Sequence, residues 1–339
     1  MSIRFPRPLS PGVRIGVTAP SSGVPADLMP RFELAVGMLR DRGFEVEVGS
    51  CLDGASHVSA PAAERAAELT RMLLDPSIAA IVPPWGGETM IDLLPLLDFD
   101  AIAAAEPTWL VGYSDTTTLM LPLTVLAGVA TLHGGNLMDT PYDVPPPLLD
   151  WIEAAGLPAG STFRQSSPGV HRTTGWDDWA ADPGASDYRF DGSGGWRRLD
   201  AGRDPVDVSG RIIGGCIDTI HHLAGTRFGD SGALRDDGLL VYVEAADDNA
   251  FAICRALHGM RLAGFFEGAR AILVGRTSAP DSPTLTQDAA VLDALGGLGV
   301  SIIADFECGH VPPRMQLVNG ALGRLVMSTD EAWLEQTLA

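Results

Sequence analysis

Hydrophobic and polar positions alternate in two distinct rhythms along this chain. Val13-Arg14-Ile15-Gly16-Val17 reads as a strand, and Leu28 to Arg42 carries helical periodicity that stops at Gly43. Phe44-Glu45-Val46-Glu47-Val48 alternates as a strand. Ala62 to Leu74 reads as a helix, and Ile78 to Val82 as a short, wholly apolar strand ended by Pro83-Pro84-Trp85-Gly86-Gly87. Leu110-Val111 is a further strand, and Thr116 to Leu126 a further helix. Strands alternating with helices predict a parallel sheet in the first ~140 residues.

From about Pro141 to Pro205 the pattern dissolves. Pro, Gly, Asp and Trp crowd into Pro145-Pro146-Pro147, Gly175-Trp176-Asp177-Asp178-Trp179 and Gly192-Ser193-Gly194-Gly195-Trp196. Loops of this length are functional or disordered, and three tryptophans argue against disorder. Periodicity returns at Val206. Arg211 to Gly215 predicts a strand and turn, and Leu239 to Val243 a strand ending in Glu244. Asp247 to Met260 predicts a helix with acids at its start, and Ala271 to Val274 and Ser301 to Ala304 predict two more strands. The division expected is residues 1–160 for an N-terminal α/β domain, 161–205 for a Trp/Gly-rich linker and substrate loop, and 206–339 for a C-terminal domain.

The 339 residues suffice for two domains. No apolar run nears the ~20 residues of a membrane span, and the first residues lack a signal peptide's apolar core. A cytoplasmic protein is therefore expected, with no membrane partner. The net charge of −20, from 23 basic and 43 acidic side chains, opposes nucleic-acid binding. Cys51, Cys216, Cys254 and Cys308 are widely spaced, as free thiols rather than disulfides or a zinc site would be.

The candidate chemistry centres on Gly112-Tyr113-Ser114-Asp115, between a buried strand and a helix start. A serine there can stand at the tip of a sharp turn beside backbone N–H groups, as a nucleophile or as a plain helix cap. A serine nucleophile needs an imidazole base oriented by a carboxylate. Glu244, at a strand end, is the candidate carboxylate. His310, in Cys308-Gly309-His310-Val311-Pro312-Pro313, is the candidate base among seven histidines. Trp85-Gly86-Gly87-Glu88 follows a buried strand, and its glycines let backbone approach a ligand closely. Gly87 and Asp115 N–H groups are the expected oxyanion hole. Arg314 fits either a carboxylate-binding fork or, preferably, a surface ion pair.

These pieces together resemble the LD-carboxypeptidase family of serine peptidases, which includes the microcin C immunity peptidases. The resemblance runs through Val17-Thr18-Ala19-Pro20-Ser21, Trp85-Gly86-Gly87, Leu97-Asp98-Phe99-Asp100 and Gly112-Tyr113-Ser114-Asp115. It continues through Gly210-Arg211-Ile212-Ile213-Gly214-Gly215-Cys216, Glu244 and Gly309-His310. It implies a Rossmann-like, glutamine-amidotransferase-like N-terminal domain carrying the serine. A C-terminal β-rich α/β domain would carry the glutamate and histidine. It implies a Ser114-Glu244-His310 triad, a homodimer, and no metal or organic cofactor. The substrate would be a murein peptide losing D-Ala or a microcin C-like peptidyl-adenylate. Trp179, then Trp176, are the expected aromatic contacts in the second case, with Trp85, Gly86 and Glu88 nearby. Cys216 stands where many relatives have Asn, and His133-Gly134-Gly135 where cell-wall members tend to have His-Gly-Pro. An esterase or acyltransferase with the same triad, or a non-catalytic binding module on the same scaffold, are the competing readings.

Overall fold

The computed structural model describes residues 2–173, 175–202 and 204–339. Its strands are β1 (Arg14–Val17), β2 (Glu45–Val48), β3 (Ile78–Ile81), β4 (Trp109–Gly112), β5 (Thr131–His133), β6 (Thr162–Gln165), β7 (Val170–His171), β8 (Gly192–Ser193) and β9 (Arg197–Arg198). These are followed by β10 (Val206–Cys216), β11 (Leu239–Glu244), β12 (Ala269–Gly275), β13 (Ser301–Phe306), β14 (Leu317–Asn319), β15 (Leu322–Met327) and β16 (Ala332–Thr337). The helices are α1 (Met29–Asp41), α2 (Ala62–Leu74), α3 (Phe99–Ala104), α4 (Thr117–Val125), α5 (Trp151–Ala155), α6 (Ile217–Ile220), α7 (Ala250–Leu262) and α8 (Gln287–Leu295).

Two sheets define two domains. The N-terminal sheet has the order β14-β5-β4-β3-β1-β2 and is parallel except for β14, which pairs antiparallel with β5. The C-terminal sheet has the order β6-β16-β15-β10-β11-β12-β13-β9. Its centre, β10 to β13, is parallel, and antiparallel strands extend both flanks. The mixed α/β class read from the periodicity is therefore present. The predicted linker contributes β6 and β9 to the C-terminal sheet, while β14 returns to the N-terminal one.

Fully apolar strands such as Ile78–Ile81 are buried throughout, as parallel strands covered on both faces must be. Every residue of α4 is also buried, so this helix lies inside the molecule. Its first turn meets the end of β10: the Cys216 N–H donates to Thr117 Oγ1 at 3.2 Å, and Thr117 and Thr219 hydroxyls pair at 3.0 Å. One apolar cluster is continuous from Val17 and Leu110 through Leu119 to Ile213 and Val241, joining the domains. The expected acidic start of α7 differs. Asp247 and Asp248 lie before the first turn, and Asn249 caps the helix by accepting from Phe251 and Ala252 N–H. None of the described helices is long and apolar enough to cross a membrane.

Candidate active site

The carboxyl edges of the parallel strands supply the site. In open α/β sheets loops at that edge gather ligands, because several chain reversals converge there. Ser114 follows β4, Gly86 and Gly87 follow β3, and Asn136 and Asp139 follow β5. From the other domain, Glu244 ends β11 and His310 follows β13. Residues of both domains line one cavity of about 650 Å³, among them Trp85, Gly86, Gly87, Ser114, His310 and Arg314.

Ser114 has φ 63°, a left-handed conformation that costs a side-chain-bearing residue of order 1–3 kcal/mol. Neighbouring structure imposes it. Asp115 is buried, and its carboxylate accepts from Ser21 Oγ at 2.6 Å, Met90 N–H at 2.8 Å and Thr118 Oγ1 at 2.9 Å. Those bonds lock the residue after the serine to the segments that follow β1 and β3 and to α4. Gly86 leaves the space: a Cβ there would stand 2.7 Å from the Ser114 Cβ and 2.8 Å from its Oγ.

His310 Nδ1 lies 2.8 Å from Glu244 Oε2. The carboxylate side chain is 0% exposed and the imidazole 13%. Burial alone would raise the Glu244 carboxyl, but the His310 charge and hydrogen bond outweigh it and hold the group below its ordinary value. Burial likewise pushes the His310 imidazole down, and Glu244 more than compensates, leaving it raised. Gly309 makes the pairing possible. It has φ +89°, and a Cβ there would overlap the Glu244 carboxylate. Tyr113 packs edge-on to His310 at 5.1 Å between ring centroids.

Arg314 is not at the surface. It is buried in the cavity wall, where Nε donates to Gly309 O at 2.6 Å and Nη2 to Tyr113 OH at 2.9 Å. Nη1 lies 3.3 Å from Asp139 Oδ1. The surface ion pair preferred from sequence gives way to a buried network, because the segment after His310 dives back toward the N-terminal sheet.

The tryptophan loop closes the cavity's far side. Trp176 is 59% exposed and sits edge-on to His310, with centroids 6.3 Å apart. Trp179 is engaged: its Nε1 donates to Tyr142 OH at 2.8 Å, and the Arg31 guanidinium lies over both rings, 4.8 Å from Tyr142 and 5.0 Å from Trp179. Asp177 accepts from Tyr142 OH at 2.6 Å and from Arg172 at 2.7 Å. Tyr188 stacks on Tyr142 at 4.3 Å. Trp85 lines the cavity and donates to Gly23 O at 3.0 Å. Glu88 does not line it. It is exposed, and its carboxyl is raised by partial burial and by Asp115, Asp247 and Asp218. Tyr142, Tyr188, Arg31 and Asp139 frame the site but carry no local sequence signal, since contacts more than a hundred residues apart recruit Arg31 and Asp139.

The fold and site thus define a two-domain α/β protein whose interdomain cleft holds a serine in strained backbone and a carboxylate-held imidazole in its walls. Family models specify it further. The LD-carboxypeptidase N-terminal domain matches residues 15–134 and the LD-carboxypeptidase C-terminal domain residues 209–325. The chain belongs to the LD-carboxypeptidase family. It is 27% identical over 331 residues to the microcin C7 self-immunity protein MccF of Escherichia coli, covering 92% of this chain and 90% of that one. It is 24% identical over 332 residues to the "Probable murein peptide carboxypeptidase" of Bacillus subtilis, covering 96% and 92%. MccF in complex with aspartyl sulfamoyl adenosine superposes with a TM-score of 0.82 at 23% identity, covering 98% of each chain.

Proposed function

We propose that this protein is a serine peptidase that cleaves an amide next to a chain end, with Ser114 as nucleophile. The observation that carries this reading is the buried Glu244–His310 hydrogen bond opening onto the same cavity as the strained Ser114. His310 Nδ1 faces Glu244, which leaves Nε2 to take the Ser114 proton. The alkoxide attacks the carbonyl carbon, and Gly87 and Asp115 N–H groups receive the oxyanion. His310 then protonates the departing amine, and water, deprotonated by the same imidazole, hydrolyses the acyl-enzyme. Glu244 stays ionised throughout and stabilises the imidazolium.

For the substrate, we favour a peptidyl or aminoacyl group linked to an adenylate-like moiety. Trp176 presents an exposed indole beside His310, and Tyr142, Trp179 and Tyr188 extend the aromatic wall. Base–aromatic stacking contributes about 1–3 kcal/mol per base. The likeness to MccF, whose complex holds aspartyl sulfamoyl adenosine, supports the same class. A murein tetrapeptide ending in D-Ala is the second reading, favoured by the full-length likeness to the Bacillus subtilis relative.

A paired assay tests both. The purified protein is given an aspartyl or glutamyl sulfamoyl-adenosine and, separately, a murein tetrapeptide, with Ser114→Ala as control. Cleavage of the adenosine compound is expected, falling by about three orders of magnitude or more in the variant. Release of D-Ala alone would transfer the assignment to cell-wall peptides. Retained activity in Ser114→Ala would overturn the serine mechanism itself.

A further inference from the structure

Remote from the cavity, α7 and α8 bring three potential ligand atoms of different chemistry to one point. Cys254 and His258 are four residues apart on α7, so both project from one face. Asp293 projects from α8, which packs alongside. The Cys254 Sγ–H and His258 Nε2 both meet the same Asp293 Oδ2, at 3.4 Å and 2.8 Å. The three ligand atoms lie within 4.8 Å of one another. We propose that Cys254, His258 and Asp293 form a surface site for a zinc-class divalent transition metal that clamps α7 to α8.

The donor set is one thiolate, one imidazole and one carboxylate, which suits borderline-soft ions such as Zn²⁺ or Co²⁺ and not Mg²⁺ or Ca²⁺. A tetrahedral zinc with ordinary bond lengths sets its sulfur and carboxylate oxygen about 3.6 Å apart, and its nitrogen and oxygen about 3.4 Å apart. The sulfur–oxygen separation of 3.4 Å is already close to that value, whereas the nitrogen–oxygen separation of 2.8 Å must open by about half an ångström. Asp293 is 62% exposed, so its carboxylate can rotate to open the shorter one. Binding displaces the thiol proton and keeps His258 neutral, with Nε2 on the ion and the ring proton on Nδ1. The fourth position is left to water.

One feature opposes the ion. Arg261 Nη2 lies 3.1 Å from His258 Nδ1, where a guanidinium N–H can meet only an acceptor. Metal loading puts a proton on that nitrogen, so Arg261 must swing away. Removing the guanidinium therefore favours the loaded state. The placement also has a consequence. α7 follows β11, which ends in Glu244, and α8 precedes β13, which leads to His310. A clamp here braces the two crossovers that deliver both residues.

The test is a Co²⁺ titration of the full chain, kept reduced with a phosphine. Near-ultraviolet thiolate-to-cobalt charge transfer reports the sulfur bond directly. The other three thiols are buried, and of these Cys216 lies within ligand distance of Glu244 and His310, so the Cys254→Ser comparison is what assigns the sulfur. The band is expected in the parent protein, absent in Cys254→Ser, and displaced to about ten-fold or more higher cobalt in Asp293→Asn. Arg261→Gln is expected to bind more tightly. No band in the parent, or a band undiminished in Cys254→Ser, would overturn the site. Weaker binding in Arg261→Gln would overturn it as drawn.

Discussion

At the scale of single residues, the Glu244–His310 pair sets a pH signature. His310 must be neutral to act as a base, so rate rises as pH passes upward through its pKa. Glu244 holds that pKa above the ordinary value of 6.5. In Glu244→Gln the acidic limb of kcat/KM should move to lower pH, while the plateau falls by roughly 10²-fold or more. A limb that stays in place would detach Glu244 from His310. The same pair has a stability window. Glu244's contribution is lost as pH falls through its lowered pKa, and His310's is lost as pH rises through its raised one, so the pair contributes most between the two. Gly309→Ala makes a second residue-level test. Its φ of +89° and the carboxylate behind it leave no room for a methyl group. A loss of about 1–3 kcal/mol in chemical denaturation is expected, with activity falling alongside. The positions of Ser114, Glu244 and His310 at or past strand ends are legible in the sequence from the apolar runs that precede them, whereas their grouping as a triad comes from the family resemblance. The burial of Arg314 is not legible in the sequence, because nothing local distinguishes an arginine on a surface loop from one under Tyr113.

At the scale of elements, legibility followed periodicity. Ala62–Leu74 matched its helical pattern residue for residue, and Ile78–Ile81 its apolar run to within one residue. β10 runs for 11 residues, beyond the five its apolar pattern predicts, because Asp207 and Ser209 face outward where it pairs with β15. The sequence pattern does not reveal the strands β14 to β16. Turn chemistry at Asn319-Gly320 marks a reversal, but it does not reveal that β14 and β15 enter different sheets. The tryptophan loop was legible as ordered but not in its anchoring. Arg31, far upstream in the sequence, lays its guanidinium over Trp179 and donates to Ala185 O, which anchors the loop. Two substitutions should therefore separate. Trp176→Ala is expected to raise KM for an adenosine-linked substrate by about 5-fold or more with little change in kcat. Trp179→Ala should lower kcat as well, because the loop loses its contacts to Arg31 and Tyr142. Equal effects from both, in steady-state kinetics, would contradict this division.

At the scale of the whole molecule, the site exists only where both domains close on it. Asn319 ties them together: its Nδ2 donates to Thr131 Oγ1 at 3.0 Å in the N-terminal sheet, and its Oδ1 accepts from Tyr242 OH at 3.0 Å in the C-terminal one. All three residues are buried. Asn319→Ala leaves two buried polar groups without that partner, at a cost of about 1–3 kcal/mol each. The urea midpoint should fall, and a single transition should broaden or split as the domains uncouple. An unchanged midpoint would mean that the domains are joined by the apolar cluster around α4 alone.

The antiparallel pairing of β14 with β5 also orders events in time. Synthesis delivers the five parallel strands of the N-terminal sheet by residue 133, but the strand that covers β5 is drawn from residues 317–319. At the ribosome's ~5–20 residues per second, the open edge of β5 waits roughly 10–40 s for its partner. During that interval the nascent domain presents an unpaired ladder to other nascent chains. A polypeptide released before residue 319 keeps the serine but has lost the seal, so premature termination yields an aggregation hazard rather than a half-active enzyme.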